Sequence, residues 1–250
     1  MTDYRSLEQA LSLGLEAHVF CILKIGRREH LEELAQGRLR FRPLKFYSDI
    51  ESQGAAHYDG HEGIVSVLQA EYMKLKLSIG GEQIEISSET GLVDQVLVRE
   101  LRTRLVFCLH AIHTGEWPHS ELNADLLPEF RRKMEIPRSM SRYGDHVWVV
   151  TDGGKFKARL REAAKKVNFG LHGRLVRYVD FASIHGHVPE NLRGFVKSDE
   201  YNEEREYRFQ LDAPESVADP FILEVSDLRD ISMILPLSEV KLDFALGGPP

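Results

Sequence analysis

Residues 200–209 read EYNEEREYRF, a stretch that packs acids, arginines and aromatic rings together. Read as a strand, its side chains alternate with period two. Glu204, Glu206 and Arg208 then share one face, and Arg205, Tyr207 and Phe209 the other. Two acids and an arginine are costly to bury together unless they pair or do chemistry. The chemistry open to Glu-x-Glu is a division of labour. One carboxylate orients a substrate hydroxyl while the other positions or deprotonates the attacking group. Like charges this close push their pKa values apart, and Arg208 would hold one of them ionised. An ion-pair ladder on an exposed sheet face has the same pattern, so the residues alone leave both readings open.

Two earlier segments bear on that choice. RLRFRPL, residues 38–44, sets Arg38, Arg40 and Arg42 against Leu39 and Phe41, a strand with one basic face. Such a face is either solvated or an anion cradle. A pyrophosphate site needs fixed cations beside its catalytic acid, and an acidic segment follows this strand directly. That segment, FYSDIESQGAAHYDGHEG (46–63), reads as a functional loop. Its Asp49, Glu51, Asp59 and Glu62, joined by Glu204 and Glu206, could form an oxygen cage for Mg²⁺ or Mn²⁺. A metal-dependent nuclease would use such a set, with Lys197 near the scissile phosphate. The histidines make a weaker case for a metal. His110 and His113 would point to opposite sides of a strand, and the pair in HGH (185–187) falls in an expected loop.

The elements that must position these residues are strand-rich. HVFCILKI (18–25), RLVFCLHAI (104–112), HVWVVTD (146–152), GRLVRYVDF (173–181) and REYRFQLD (205–212) read as strands, with FILEV and ISMILPL as short late ones. KLKLSIGGEQIEIS predicts a β-hairpin, because Gly80-Gly81 supplies the positive φ of a tight turn. Helices are expected over RREHLEELAQG, stopped by Gly37, and over KFKARLREAAKKV. SELNADLLPEFRRKM also looks helical but is interrupted by Pro128. The expectation is a single compact α+β domain on mixed or antiparallel sheets, with a few flanking helices and a hairpin insertion near 72–88.

With 250 residues the chain can bury a real core, and a net charge of −7 argues against broad electrostatic capture of nucleic acid. Cys21 and Cys108 lie in apolar runs and read as buried thiols; no CxxC pair is present for a zinc ribbon. No signal peptide and no apolar run of about twenty residues is evident, so a cytoplasmic protein without a membrane partner is expected.

The order of these pieces resembles a widespread bacterial domain family whose biochemical role is mostly unassigned. HLEELAQGRLRFRPLKFYSDIE is similar to its "GkLyFs…fNDPFE" segment, with Ser48, Asp49 and Glu51 at the NDPFE-like positions. FCLHAIHTGE and MSRYGDHVWVVTD resemble its middle block, Tyr143 matching its tyrosine. KSDEYNEEREYRF resembles its closing "K…WxxExEyRl", with Lys197, Tyr201, Glu204, Glu206 and Arg208 in register. The chain departs in carrying Tyr201 for the tryptophan and Ile50 for the proline-phenylalanine pair.

A second resemblance is to mono-ADP-ribosyltransferase toxins. These have a His or Arg on an early strand, a Ser or Tyr in the middle, and a late glutamate, often as Glu-x-Glu. It implies an NAD-using transferase, a toxin or phage-defence effector, with NAD as substrate. Glu206 would hydrogen-bond the nicotinamide ribose and stabilise the oxocarbenium-like transition state, and Glu204 would position the acceptor. Tyr47 would stack on nicotinamide beside Ser48. His18 and Arg38, Arg40 or Arg42 would hold the adenosine side and pyrophosphate, and Arg208 would join them in binding the cofactor. The acceptor would be a protein or nucleic acid, and the toxin likeness leaves room for a cognate antitoxin. A metal-dependent nuclease (Asp49, Glu51, Glu204 and Glu206) and a non-catalytic binding or immunity module with an acidic docking face stand as alternatives.

Overall fold

The computed structural model describes residues 5–6, 11, 17–49, 60–73, 75–86, 95–100, 104–115, 117, 122–214, 216–217 and 219–244. Its strands are β1 (Arg5–Ser6), β2 (Val19–Gly26), β3 (Arg38–Pro43), β4 (Ile64–Gln69), β5 (Leu75–Ile79), β6 (Glu82–Ile86), β7 (Gln95–Arg99) and β8 (Arg104–His113). They continue as β9 (His146–Val150), β10 (Gly170–Leu175), β11 (Arg177–Val179), β12 (Ile184–His187), β13 (Val196–Ser198), β14 (Glu206–Asp212), β15 (Phe221–Glu224) and β16 (Ser232–Pro236). The α-helices with described bounds are α1 (Arg28–Ala35), α2 (Leu44–Asp49), α3 (Leu127–Met134) and α4 (Gly153–Lys166). The architecture is a mixed α+β fold, mostly sheet.

The largest sheet runs β10-β14-β8-β2-β9-β16, every neighbour antiparallel, with β3 and β15 branching from β8. On one face of this sheet Trp148, Phe156, Leu160, Tyr207 and Phe209 form the main core against α4. Leu31 and Leu34 bring α1 to the same core. A smaller sheet, β1-β12-β4-β7, encloses a second core around Ile64, Val67, Phe181 and Ile184. β5 and β6 pair as the expected hairpin, turning at Gly80 and Gly81 with φ of 62° and 91°.

The branch at β8 creates the cavity. Along the edge of β8 away from β14, β3 pairs with Leu105 and Val106 while β2 pairs from His110 onward. The two strands therefore diverge, and the stretch between is given up by both. The Lys24 ammonium reaches across this split and donates to the Cys108 carbonyl at 2.7 Å. An unpaired strand carbonyl at such a point must find another donor. α1 links the diverging strands, and Gly37 ends it with φ of 92°. A Cβ there would lie 2.3 Å from the Val225 carbonyl oxygen, so the position requires glycine.

Four local readings need correction. Residues 46–49 are not loop but the end of α2; residues 50–59 of the expected loop lie outside the described residues. Pro128 does not interrupt a helix but opens α3, where its missing N–H costs nothing. The stretch 173–181 is two strands: β10 pairs with β14, whereas β11 runs parallel to β13. His185 and His187 lie on β12 rather than in a loop. There His185 Nδ1 accepts from the Gln69 N–H at 3.1 Å, and His187 Nδ1 shares a 2.6 Å hydrogen bond with the Ser66 hydroxyl.

Candidate functional site

β14 is buried on both faces, and its two faces do different work. Tyr207, Phe209 and Leu211 enter the main core, while Glu206, Arg208 and Gln210 point the other way. Arg208 is 1% exposed and fully engaged. It grips Glu62 with Nη1 at 2.7 Å and Nη2 at 3.0 Å, and Glu206 with Nη2 at 2.8 Å and Nε at 3.1 Å. Its Nη1 also donates to the Gly194 carbonyl at 2.6 Å. The turn before β4 and the late Glu-x-Glu strand thus meet through one guanidinium, whose planar fork suits two carboxylates at once.

Glu204 is not on the strand. It ends a 3-10 turn, Asp199–Glu204, and Arg205 then takes a left-handed conformation with φ of 42° before β14 begins. A non-glycine residue is uncommon there, and the strain buys a redirected chain. Glu204 and Glu206 consequently approach Lys197 from two directions rather than side by side on one face. The Lys197 ammonium sits between them, 2.7 Å from Glu204 Oε2 and 3.0 Å from Glu206 Oε1. The Tyr201 ring lies 4.7 Å beneath it. On the far side Glu204 Oε1 accepts from Arg142 Nη2 at 2.8 Å and from the Tyr143 hydroxyl. Three buried acids are thereby matched by Lys197, Arg208 and Arg142.

The two glutamates are driven apart electrostatically. Burial raises the Glu204 pKa, and the neighbouring Glu206 charge adds to it, against the opposing pull of Lys197. Burial would raise Glu206 as well, but Arg208 and Lys197 outweigh it and hold that carboxyl well below the ordinary range. Carboxylates separated in this way are suited to separate roles, one proton-transferring and one permanently charged. Burial, with Glu204 beside it, keeps the Tyr143 phenol protonated. Cys108, on the same sheet face, is pushed up to about 12 by burial and the Glu206 charge, which leaves it an inert thiol.

These groups line a cavity of about 540 Å³, within the range of small-molecule sites. Beyond the matched network, Lys24, Arg27, Arg38, Arg40 and Arg42 line it, with Glu33 as the one further acid among the described residues. The wall is cationic in a chain of net charge −7. The β3 arginines are loosely held: Arg40 stands 3.6 Å from Glu33, Arg42 3.5 Å from Asp219 and Arg38 3.7 Å from Glu224. Arg42 also lies 3.8 Å over the Phe46 ring.

Of the residues singled out in the sequence, Tyr47, Arg38, Arg40, Arg42, Glu204, Glu206 and Arg208 meet at this cavity. Ser48 bonds within its own helix, its hydroxyl donating to the Lys45 carbonyl at 2.9 Å, and is not among the lining residues. His18 stands apart at the head of β2, edge-on to Phe20 at 4.7 Å with its N–H bonded to Thr114 Oγ1. The Asp49 side chain and all of Glu51 lie outside the described residues. Among the described residues no three metal-ligating side chains converge, and Lys197 occupies the gap between Glu204 and Glu206 that a cation cage would need. Nor do the two glutamates form an exposed acidic docking face, since both are buried. Tyr143 and Arg142 were missed as site residues; the tyrosine of the middle-block resemblance was the available signal. No helix among the described residues is long and apolar enough to cross a membrane. Comparison with protein-family models, with curated proteins and with solved structures finds no match to this chain.

Proposed function

We propose that the cavity binds a nucleotide diphosphate and that the protein is an ADP-ribosyltransferase-like enzyme with NAD as substrate. The observation that carries this reading is the opening of the basic β3 face and the Glu204–Glu206 pair onto one cavity. Arg38, Arg40 and Arg42, free to rotate toward an anion, would take the pyrophosphate. Tyr47 would lie against the nicotinamide. The glycosidic bond breaks with nicotinamide leaving as a neutral base, and positive charge develops on the ribose. Glu206, held ionised beside Lys197 and Arg208, faces that charge and would accept from a ribose hydroxyl. Glu204, with its raised pKa, takes the proton released as the acceptor's nucleophile attacks. The acceptor would be a protein or nucleic acid, in keeping with a toxin or phage-defence effector.

One observation favours a second reading, a binding module without catalysis. Every oxygen of Glu204 and Glu206 already accepts from a cation or a phenol, as in a rigid frame for ligand capture. Label transfer separates the two. Adenine-labelled NAD is incubated with cell lysate and wild type or Glu206→Gln, with and without a chelator. Chelator-resistant labelling that the substitution abolishes supports the transferase. Calorimetric binding of ADP-ribose without labelling or nicotinamide release supports the binding module. Folded protein that binds neither NAD nor ADP-ribose rejects both.

A further inference from the structure

We infer that His110 is a ligand-reading residue: with Glu206 it accepts the two hydrogen bonds of a vicinal diol on a sugar phosphate held in the cavity. The inference deepens the nucleotide reading by naming the sugar's contacts, and it starts from an atom without a partner. His110 is 3% exposed and is one of the residues lining the cavity. Nδ1 lies 2.8 Å from the Glu204 carbonyl oxygen. A carbonyl can only accept, so Nδ1 carries the proton and the tautomer is fixed. The remaining polar atom, Nε2, has no hydrogen-bond partner among the described residues. A buried acceptor left unsatisfied is expensive and calls for an explanation. Burial also lowers the His110 pKa to about 4, so at neutral pH Nε2 offers a lone pair and no proton.

What such an atom can take is narrow. Phosphate oxygens and carboxylates have nothing to donate to it; a hydroxyl or an N–H does. The register then identifies the partner group. His110 and Glu206 sit directly opposite each other on β8 and β14, so their side chains leave the same sheet face with Cβ atoms about 5 Å apart. Two acceptors side by side, a neutral imidazole and a carboxylate, match the two donors of a vicinal diol. The β3 arginines on the same cavity wall would take the phosphate of that sugar.

Ribose 5-phosphate and 2-deoxyribose 5-phosphate are the probes, titrated calorimetrically into wild type and His110→Asn. The asparagine amide N–H can still reach the Glu204 carbonyl, so the substitution removes Nε2 while sparing the structural bond. Wild type is expected to bind the ribose compound about tenfold more tightly than the deoxy compound, a preference that His110→Asn loses. In ¹⁵N-histidine-labelled wild type, which needs no variant to fold, ribose 5-phosphate shifts the Nε2 resonance of His110 and leaves Nδ1 in place. Equal affinity of wild type for the two probes, a preference that survives in the variant, or an unmoved Nε2 resonance overturns the inference; so does failure of wild type to bind ribose 5-phosphate. NAD is titrated in parallel. If the ribose preference holds while NAD does not bind, the diol site stands and the NAD reading alone fails.

Discussion

The cavity has two cationic walls, and they differ in how their cations are held. Lys197 and Arg208 are buried, with acid partners at 2.7–3.1 Å. Arg40 and Arg42 are partly exposed, and among the described residues their nearest carboxylates stand at 3.6 Å and 3.5 Å. A buried cation must be paired to exist there, and its pairing fixes it. An exposed one gains little from a distant acid and remains available. One wall is therefore a rigid electrostatic frame, while the other can rearrange around an anion. The flexible wall is alternating charge on one strand, whereas the rigid wall joins β14 to Lys197 of β13 and to turn residues Glu62 and Glu204.

The comparison is broken most violently at Arg208. Arg208→Met leaves Glu62 and Glu206 buried without their guanidinium and is expected to destabilise the fold by about 3–5 kcal/mol. Arg40→Met, on the other wall, should change stability by less than about 0.5 kcal/mol. Denaturant midpoints measure both, and equal midpoints would erase the distinction between the walls. Lys197→Met comes next. Without the shared ammonium the two glutamates repel, and one is expected to take up a proton. Stability at neutral pH should fall by about 1–3 kcal/mol. Since a raised folded pKa stabilises only while the group stays protonated, part of that loss should return on acidification. A variant whose stability ignores pH would show that Lys197 does not mediate between the acids.

The flexible wall is the easier one to read from sequence. Arg38, Arg40 and Arg42 alternate within six residues, and a strand converts that spacing directly into a face. The hairpin at Gly80-Gly81 and the helix over KFKARLREAAKKV were legible for the same reason: local geometry suffices. The rigid wall was legible in composition but not in construction. Glu204 and Glu206 do converge, yet through a left-handed Arg205 that no glycine or asparagine announced. Glu62 and Arg208 meet across 146 positions of chain, a distance over which periodicity carries no information. Nor can spacing reveal that β2 and β3 part along β8, and it is this split that brings Lys24 to the Cys108 carbonyl and opens the cavity.

On the flexible wall the expected effect is on binding rather than folding. Arg42→Ala should weaken ADP-ribose binding about tenfold, the contribution of one charge-assisted contact, with unchanged unfolding. The residual affinity should depend less steeply on salt, because one exposed charge fewer is screened. Calorimetry at two ionic strengths tests this; unchanged affinity would leave the basic face a solvated surface.

The subtlest test lies inside the rigid wall, where the two glutamates should respond to pH with opposite signs. Glu206 is depressed in the folded state, so its contribution is present above the ordinary carboxylate pKa and is lost as pH falls toward its folded value. Glu204 is raised, so its contribution is present below the ordinary value and is lost as pH climbs through its folded pKa. On acidification from neutrality the protein first gains from Glu204 and then loses from Glu206, which places a shallow stability maximum near the ordinary carboxylate range. Glu206→Gln should flatten the acid limb below that maximum. Glu204→Gln should remove the rise above it, so that stability only declines as pH falls. Unfolding midpoints across the acid range read both slopes, and two variants bending the curve the same way would mean that Lys197 and Arg208 do not hold the two carboxyls on opposite sides of the ordinary pKa.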